Sequence, residues 1–578
     1  MIRLLKYLKD YKKECVLAPL FKMLEAVFEL TVPLVIARMI DKGIKMEAEI
    51  TVVRSFWLLI LLAVTGLIVS CTAQYFAAKA ATGFAKGLRH DLFAHILSFG
   101  FSDIDGIGTS TLITRQTADV NTLQNGVNMF LRLFLRSPFI VAGACIMAFT
   151  IDVKSALIFV AVITALGTVV GILTRTNIPL LKRAQKKLDD VLCLVRENLS
   201  GARVVRAFNL EDSQIGDFEE TNADLTGLLQ KSGKVSGLLT PATYVIVNLA
   251  IVFLVYTGDL RVRSGALTTG QVVALYNYMS QILLELIKFA NLIVTLNKSL
   301  ASAARVNELF DIKPSMKEGN LPADPDTDAD AVRFEGVSLK YHEGADEAIS
   351  DITFSIKAGE SFGIIGGTGS GKTSVASLIP RFYDATAGDV YVFGKNVRDT
   401  DTASLRKSVG IVMQKSVLFE GTIRDNLKWG NDKATDEDLL EAAAAAVCTD
   451  VIEVKGGLDG RVETGGRNFS GGQRQRLSIA RVLAAKPSIL ILDDSASALD
   501  YMTDRKLREN IKGLPQKPTV IIIAQRTVSV SGCDKILVLD DGCMAGLGTH
   551  KELLESSEVY REIYESQYGD DDPEKEQD

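Results

Sequence analysis

Ser361-Phe362-Gly363-Ile364-Ile365 runs directly into Gly366-Gly367-Thr368-Gly369-Ser370-Gly371-Lys372-Thr373. The first five residues read as a buried strand. The next eight fit G-x-x-x-x-G-K-T, placed between that strand and a helix beginning near Lys372. Glycines let consecutive backbone N–H groups curl round phosphates at a helix N-terminus. Lys372 is expected to reach the β and γ phosphates and Thr373 to bind Mg²⁺, with Gly367, Thr368, Gly369, Ser370, Gly371 and Ser374 completing the cradle. An isolated match to such a pattern is common in long chains, and it is the strand-to-helix context that gives this one its meaning.

A second apolar strand, Ser488–Leu492, ends in Asp493 and Asp494. A carboxylate at the end of such a strand can hold Mg²⁺ through water, and Asp493 takes that role. Between the two strands lies Phe469-Ser470-Gly471-Gly472-Gln473, followed by a helical stretch from Arg474 to Ala484. Glycines at a helix start expose N–H groups and Ser470 adds a hydroxyl, so this is a second anion-reading helix end. One chain thus carries two phosphate-reading surfaces.

The 578 residues are too many for one compact core, and composition splits them. Long apolar runs dominate up to about residue 300; from about residue 330 the chain is an ordinary mixture of charged, apolar and glycine-rich segments. Mean hydropathy is modestly positive, +0.19, as a soluble half dilutes an apolar one. A net charge of −6 gives no case for nucleic-acid binding. The seven cysteines are scattered without a CxxC pair, supporting neither a disulfide framework nor a zinc site. Met1 to Glu14 is basic and amphipathic and leads into an uninterrupted apolar helix without a small-residue cleavage site. It reads as a helix on the inner membrane surface, with a frayed N-terminus as the plainer alternative.

Six stretches are long enough to cross a hydrocarbon core of about 30 Å, which takes about 20 helical residues: 15–40, 55–78, 134–152, 155–177, 239–258 and 270–297. The N-terminal arm and the two long connections are rich in Lys and Arg, among them Lys182, Arg183, Lys186 and Lys187, which places them on the cytoplasmic side of the cell membrane. Connections of such length are implausible as structureless loops. They are expected to be helical extensions turning at tips near Asp103–Ser110 and Leu210–Phe218. Ionisable residues within spans default to a functional hypothesis. Glu25 and Glu29, four apart, and Glu285, three before Lys288, read as a polar, partly acidic substrate cavity; structural glue, or an ion pair of Glu285 with Lys288, is the alternative.

The phosphate loop, the FSGGQ stretch and Ile489-Leu490-Ile491-Leu492-Asp493-Asp494, in this order behind six spans, resemble an ATP-binding cassette (ABC) exporter half-transporter over nearly the full length. The implied fold, of the type IV exporters, is a membrane α-helical domain (six transmembrane helices with long cytoplasmic extensions) fused to an α/β P-loop ATP-binding cassette. The expected divisions are 1–310 for the membrane domain, 311–330 for a linker, 331–569 for the cassette and 570–578 for an acidic tail. Both termini and the cassette are expected in the cytoplasm. The resemblance also implies that two cassettes sandwich each ATP between the phosphate loop of one chain and the signature, Ser470, Gly471, Gly472 and Gln473, of the other. By the same resemblance, Tyr341 is similar to the aromatic that stacks on adenine. Gln414 matches the glutamine that senses Mg²⁺, and Ser497-Ala498-Leu499-Asp500 matches the loop crossing the dimer interface.

Two positions depart from that pattern. Family members with full activity usually carry Glu after the Mg²⁺ aspartate, where this chain has Asp494, and His after a later strand, where it has Gln525. An Asp side chain falls back by ~1 Å, which can cost about a hundredfold in a positioned reaction. A neutral amide cannot take a charge near neutral pH. Val462-Glu463-Thr464-Gly465-Gly466-Arg467 also departs from the usual order before the signature. The chain therefore resembles the degenerate-site subunit of heterodimeric bacterial multidrug exporters. Its expected partner is a second half-transporter carrying the missing Glu and His, and its cargo a small amphipathic compound moved across the lipid bilayer. A regulatory nucleotide-binding subunit, an exporter-like importer and a lipid or peptide exporter are the alternatives; no peptidase domain precedes the first span, against the peptide-processing case.

Overall fold

The computed structural model describes residues 2–324, 329–342, 344–495 and 499–568. It divides into two compact units: residues 1–96 with 110–312, and residues 97–109 with 313–578.

The first unit is helical. Five helical stretches among the described residues have the length and apolarity to cross a membrane: Glu49–Leu97, Thr109–Ile151, Val153–Ser200, Glu211–Arg263 and Thr269–Asp311. The helix Lys12–Arg38 holds the first expected span, and its apolar run is interrupted by Lys22, Glu25 and Glu29. Glu49–Leu97 has 49 residues and Val153–Ser200 has 48. At 1.5 Å per residue each is about 70 Å long, more than twice what a bilayer core requires. The long connections are thus continuations of the helices, as their length predicts. The second turn lies earlier than expected, around Gly201 and Asn209, with Glu211–Gly237 already helical. Glu211 and Asp212 occupy the first turn of that helix, where acids meet the positive end of its dipole, so they mark a helix start.

Small residues let the helices approach. Ala26, Ala144, Ala148, Ala156 and Ala274 are buried in one core cluster. A Cβ on Gly143 would stand 2.4 Å from Leu30 Cδ1. The N-terminal arm packs on the helix Glu49–Leu97: Leu4 is buried, and the Tyr7 hydroxyl donates to Asp91 at 2.8 Å.

The second unit is built on a six-stranded sheet in the order Cys543–Gly548, Lys535–Asp540, Ser361–Gly366, Thr519–Ala524, Ile489–Asp493, Val409–Val412, parallel except for the first strand. The strand leading into the phosphate loop is central. Its run of buried residues is what a strand covered on both faces requires. A second sheet pairs Val332–Leu339 with Ile349–Ile356 and Ala387–Val392, and Phe354 stacks between Phe334 and Phe362 to join the two sheets. Residues 97–109 belong to this unit. Phe101 stacks on Phe382 with centroids 4.5 Å apart, and the Tyr383 hydroxyl donates to Asp105 at 2.7 Å. The expected linker is folded on the cassette as far as residue 324, where the Leu321 N–H donates to Asp399 O. The rest of the linker up to residue 328, and the acidic tail, lie outside the described residues.

Candidate functional site

The phosphate loop closes the C-terminal end of the central strand. Gly369 and Gly371 have φ of 89° and 90°, the left-handed region that glycine enters without penalty. A Cβ on Gly366 would stand 2.2 Å from Leu539 O, so the loop cannot widen there. Lys372 begins the helix Lys372–Leu378 and is buried. Its ammonium donates to Gly366 O at 2.9 Å, Gly367 O at 2.5 Å and Ser370 Oγ at 3.2 Å. Burial lowers its pKa, opposed by the charges of Asp494 and Asp493. Gly367, Thr368 and Gly369 are exposed at the mouth of the cradle.

Asp493 ends its strand buried, and Thr373 Oγ1 donates to its Oδ1 at 3.2 Å. Burial raises the Asp493 pKa, Asp494 adds to the rise, and Thr373 and Lys372 oppose it. A hydroxyl and a carboxylate at this separation beside an ammonium bonded, among the described residues, to carbonyls and a hydroxyl fit a magnesium triphosphate. Thr373 and Asp493 would hold the ion, which when bound supplies neutralisation of phosphate charge. Lys372 would then exchange its loop carbonyls for phosphate oxygens.

Asp494 has φ 45°, and its N–H donates to Ile523 O. Gln414 Nε2 donates to Asp494 Oδ2 at 3.3 Å. Asp494 and Gln525 line the same cavity of about 220 Å³, together with Leu499, Asp504 and Arg526. The two substituted positions, 31 residues apart in sequence, are therefore neighbours. Sequence reasoning missed Gln567, from the last described helix. Its Oε1 accepts from Thr527 N at 2.9 Å and its Nε2 donates to Gln525 O at 2.8 Å, pinning the segment that carries Gln525. No local signal in the sequence links residues 42 apart.

Tyr341 follows the strand Val332–Leu339 by two residues. The ring is partly exposed, its hydroxyl shares a 2.8 Å hydrogen bond with Ser374 Oγ, and it meets Tyr383 edge-on. Ser470 caps the 14-residue helix Gly471–Ala484: Gln473 N donates to Ser470 Oγ, and Ser470 N donates to Gln473 Oε1. The cap leaves Ser470 and Gly471 exposed at that helix start. The segment before it is held by Thr464 Oγ1, which donates to Glu420 at 2.8 Å. Ser497 and Ala498 of the expected interface loop lie outside the described residues, and Asp500 caps the next helix.

Two family descriptions match this chain: "ABC transporter transmembrane region" over residues 15–286 and "ABC transporter" over residues 349–497. The ABC transporter ATP-binding protein YfiB of Bacillus subtilis (strain 168) is 33% identical over 98% of this chain and 99% of its own length. The chain is an ABC transporter. As such it binds ATP and couples ATP hydrolysis to transport across a membrane. The ATP-dependent lipid A-core flippase of Desulfotalea psychrophila (strain LSv54 / DSM 12343) is 32% identical over 83% of this chain and 84% of its own. The exporter fold is shown by a solved bacterial Atm1-family ABC exporter with ATP bound: TM-score 0.75, 24% identity, covering 97% of this transporter and 99% of that chain.

In the membrane unit, the structure brings Glu25, Glu29 and Glu285 together round Arg136, which sequence reasoning overlooked. Arg136 Nη1 donates to Glu285 Oε1 at 2.7 Å, and Nη2 donates to both oxygens of Glu29 at 2.8 Å. Glu285 also accepts from Ser137 Oγ and Lys288 Nζ, each at 2.8 Å, and Glu25 accepts from Lys22 at 2.5 Å. The available signal was an arginine inside an expected span, which needs an acid to stay charged there.

Proposed function

We propose that this ABC transporter is the degenerate-site half of a heterodimeric exporter of amphipathic compounds. Its signature completes a competent ATP site on the partner, while its own site holds ATP and turns it over slowly. The observation that carries this is the shared cavity of Asp494 and Gln525 beside an intact Lys372, Thr373 and Asp493. Holding groups are kept, and the two groups that would place and polarise an attacking water are shortened or neutral. Gln414, on Asp494, is the candidate sensor of the ion. Six spans with both termini and the cassette in the cytoplasm follow from the basic connections, the helix Lys12–Arg38 supplying the first. A lipid cargo is favoured as the amphipathic compound by the relative named as a lipid A-core flippase.

The test restores both groups. Asp494→Glu with Gln525→His should raise ATP turnover of the purified chain at least about tenfold, since each group positions the reaction. Unchanged turnover, with ATP still bound, overturns the degenerate-site reading.

A further inference from the structure

The charge network of the membrane unit holds three acids, Glu25, Glu29 and Glu285, and three bases, Lys22, Arg136 and Lys288. Four of the six are deeply buried: the side chains of Glu285, Arg136, Lys22 and Glu25 are 4%, 7%, 7% and 12% exposed. The other two are the ends of the relay Glu29–Arg136–Glu285–Lys288, and they are open: Glu29 is 41% exposed and Lys288 46%. A network with equal numbers of each sign exerts little net pull on a lone cation or a lone anion. What it presents outward is one carboxylate and one ammonium. Glu285, one of the acids expected from sequence to line a substrate cavity, is already bonded to Arg136, Ser137 and Lys288.

The network shares Ser137 with a groove of about 340 Å³ lined by Pro138, Val141, Cys145, Leu286 and Phe289. That volume falls within the range of about 300–1,000 Å³ usual for ligand pockets. Leu286 and Phe289 each follow directly on a network residue, Glu285 and Lys288, and Ser137 belongs to both features. Within the relay, Arg136 Nε is buried with no hydrogen-bond partner among the described residues, so the cluster keeps an unused donor in an enclosed place. An apolar groove joined through Ser137 and Glu285 to a relay with one open carboxylate and one open ammonium has the chemistry of an amphiphile with both charges in its head.

We infer that Glu29 and Lys288 read the head group of a zwitterionic amphiphile whose apolar part lies in the groove between Pro138 and Phe289. This rests on the export reading and narrows its cargo. Glu29 meets the cationic group and Lys288 the anionic one, while Arg136 and Glu285 fix both by bonding them in a rigid line. Molecules of a single charge leave one end of the pair desolvated without compensation, which is a penalty against them.

The test is equilibrium dialysis of the full-length chain in nanodiscs, without nucleotide, against three probes with one common alkyl chain: dodecylphosphocholine, dodecyltrimethylammonium and dodecyl phosphate. The zwitterion should bind about tenfold tighter than either of the others. Glu29→Gln should remove that advantage while leaving dodecyl phosphate at least as well bound; Lys288→Met should do the same in favour of dodecyltrimethylammonium. Val141→Trp, which fills the groove, should weaken all three. Equal affinities in the unaltered chain overturn the proposal, as does a uniform loss across the probes in Glu29→Gln and Lys288→Met, which would mean a structural network. Indifference of all probes to Val141→Trp would overturn it too, and would mean that another occupant, such as a partner helix, covers the groove. Because no nucleotide is present, a slow or idle ATP site leaves these results unchanged, and restored turnover in Asp494→Glu with Gln525→His does not depend on them.

Discussion

Two clusters of buried charge stand in the two units, and they are built on opposite plans. In the membrane unit each charged group of the relay meets a group of opposite charge within 2.8 Å, so the cluster is neutral without any ligand. In the cassette Lys372 binds carbonyls and a hydroxyl and Asp493 the Thr373 hydroxyl, so the two opposite charges feel each other's field without closing a direct ion pair among the described residues. The pKa directions express the same thing: burial pushes Lys372 down and Asp493 up, each toward its neutral form. A buried charge that lacks its counterion marks a place prepared for one to arrive. A buried charge that has its counterion marks a joint, and only its open ends are available for recognition.

Removing the hub of the joint should have the largest effect. Arg136→Met takes one of two cationic partners from buried Glu285, which keeps Lys288 and Ser137, and loss of one partner of a buried pair costs up to about 3–5 kcal/mol. Thermal unfolding of the purified chain measures this, and the double change Arg136→Met with Glu285→Leu should recover most of the loss. A cost under about 1 kcal/mol for the single change would erase the contrast between the clusters.

Next in size is the signature. Ser470→Arg adds bulk at an exposed helix cap and should lower steady-state turnover of the chain paired with its partner by about 10²–10³, the worth of one transition-state donor. Asp494→Asn should leave most of that turnover. The reverse order would make this chain's own site the engine.

Lys372→Met tests the waiting charge directly. A charge-assisted hydrogen bond to phosphate is worth about 1.5–3 kcal/mol, so ATP affinity of the isolated chain should fall about tenfold to a hundredfold while its unfolding temperature changes little. A large loss of stability without nucleotide would show that Lys372 is a joint after all.

The smallest effect concerns Asp493. Its folded pKa is raised, so between the ordinary value of 3.8 and the raised value the folded chain binds more protons than the unfolded one, and stability falls as pH rises through that window. Above it the buried carboxylate is a standing cost. Asp493→Asn should therefore stabilise the nucleotide-free chain at neutral pH, as thermal unfolding would show. The gain should vanish as pH falls through the raised pKa. A gain that grows on acidification would reverse the assignment.

The cassette was legible because its function is written in the backbone: glycines at fixed intervals, a strand before and a helix after, and a carboxylate at a strand end. Gly371, Lys372, Thr373 and Asp493 stand where the spacing puts them. The long helices were legible from length alone, and the first tip from its glycines, Gly106 within and Gly108 just after the helix Phe101–Ile107. The second tip was misplaced because Glu211 and Asp212 suit a turn and a helix start equally well in one dimension. Partnerships were hidden. Arg136 meets Glu285 across 149 residues, and Tyr383 meets Asp105 across 278. Neither distance leaves a periodic trace, so an arginine in an apolar run carries the warning but not the address.

The left-handed turn at Asp494 has a consequence for how such chains can diverge. Asp and Asn enter this region of backbone space more readily than longer side chains, because their short polar groups can bond locally there. The φ of 45° is set by the strand end and the donation to Ile523 O, so any residue at 494 inherits it. The conformation costs any residue but glycine about 1–3 kcal/mol, and the short carboxylate of Asp bears it more readily than the longer one of Glu. Reach toward a reacting water and comfort in the resting fold are thus exchanged at a single methylene. A chain relieved of catalysis at this position drifts toward the relaxed residue without any further pressure to do so.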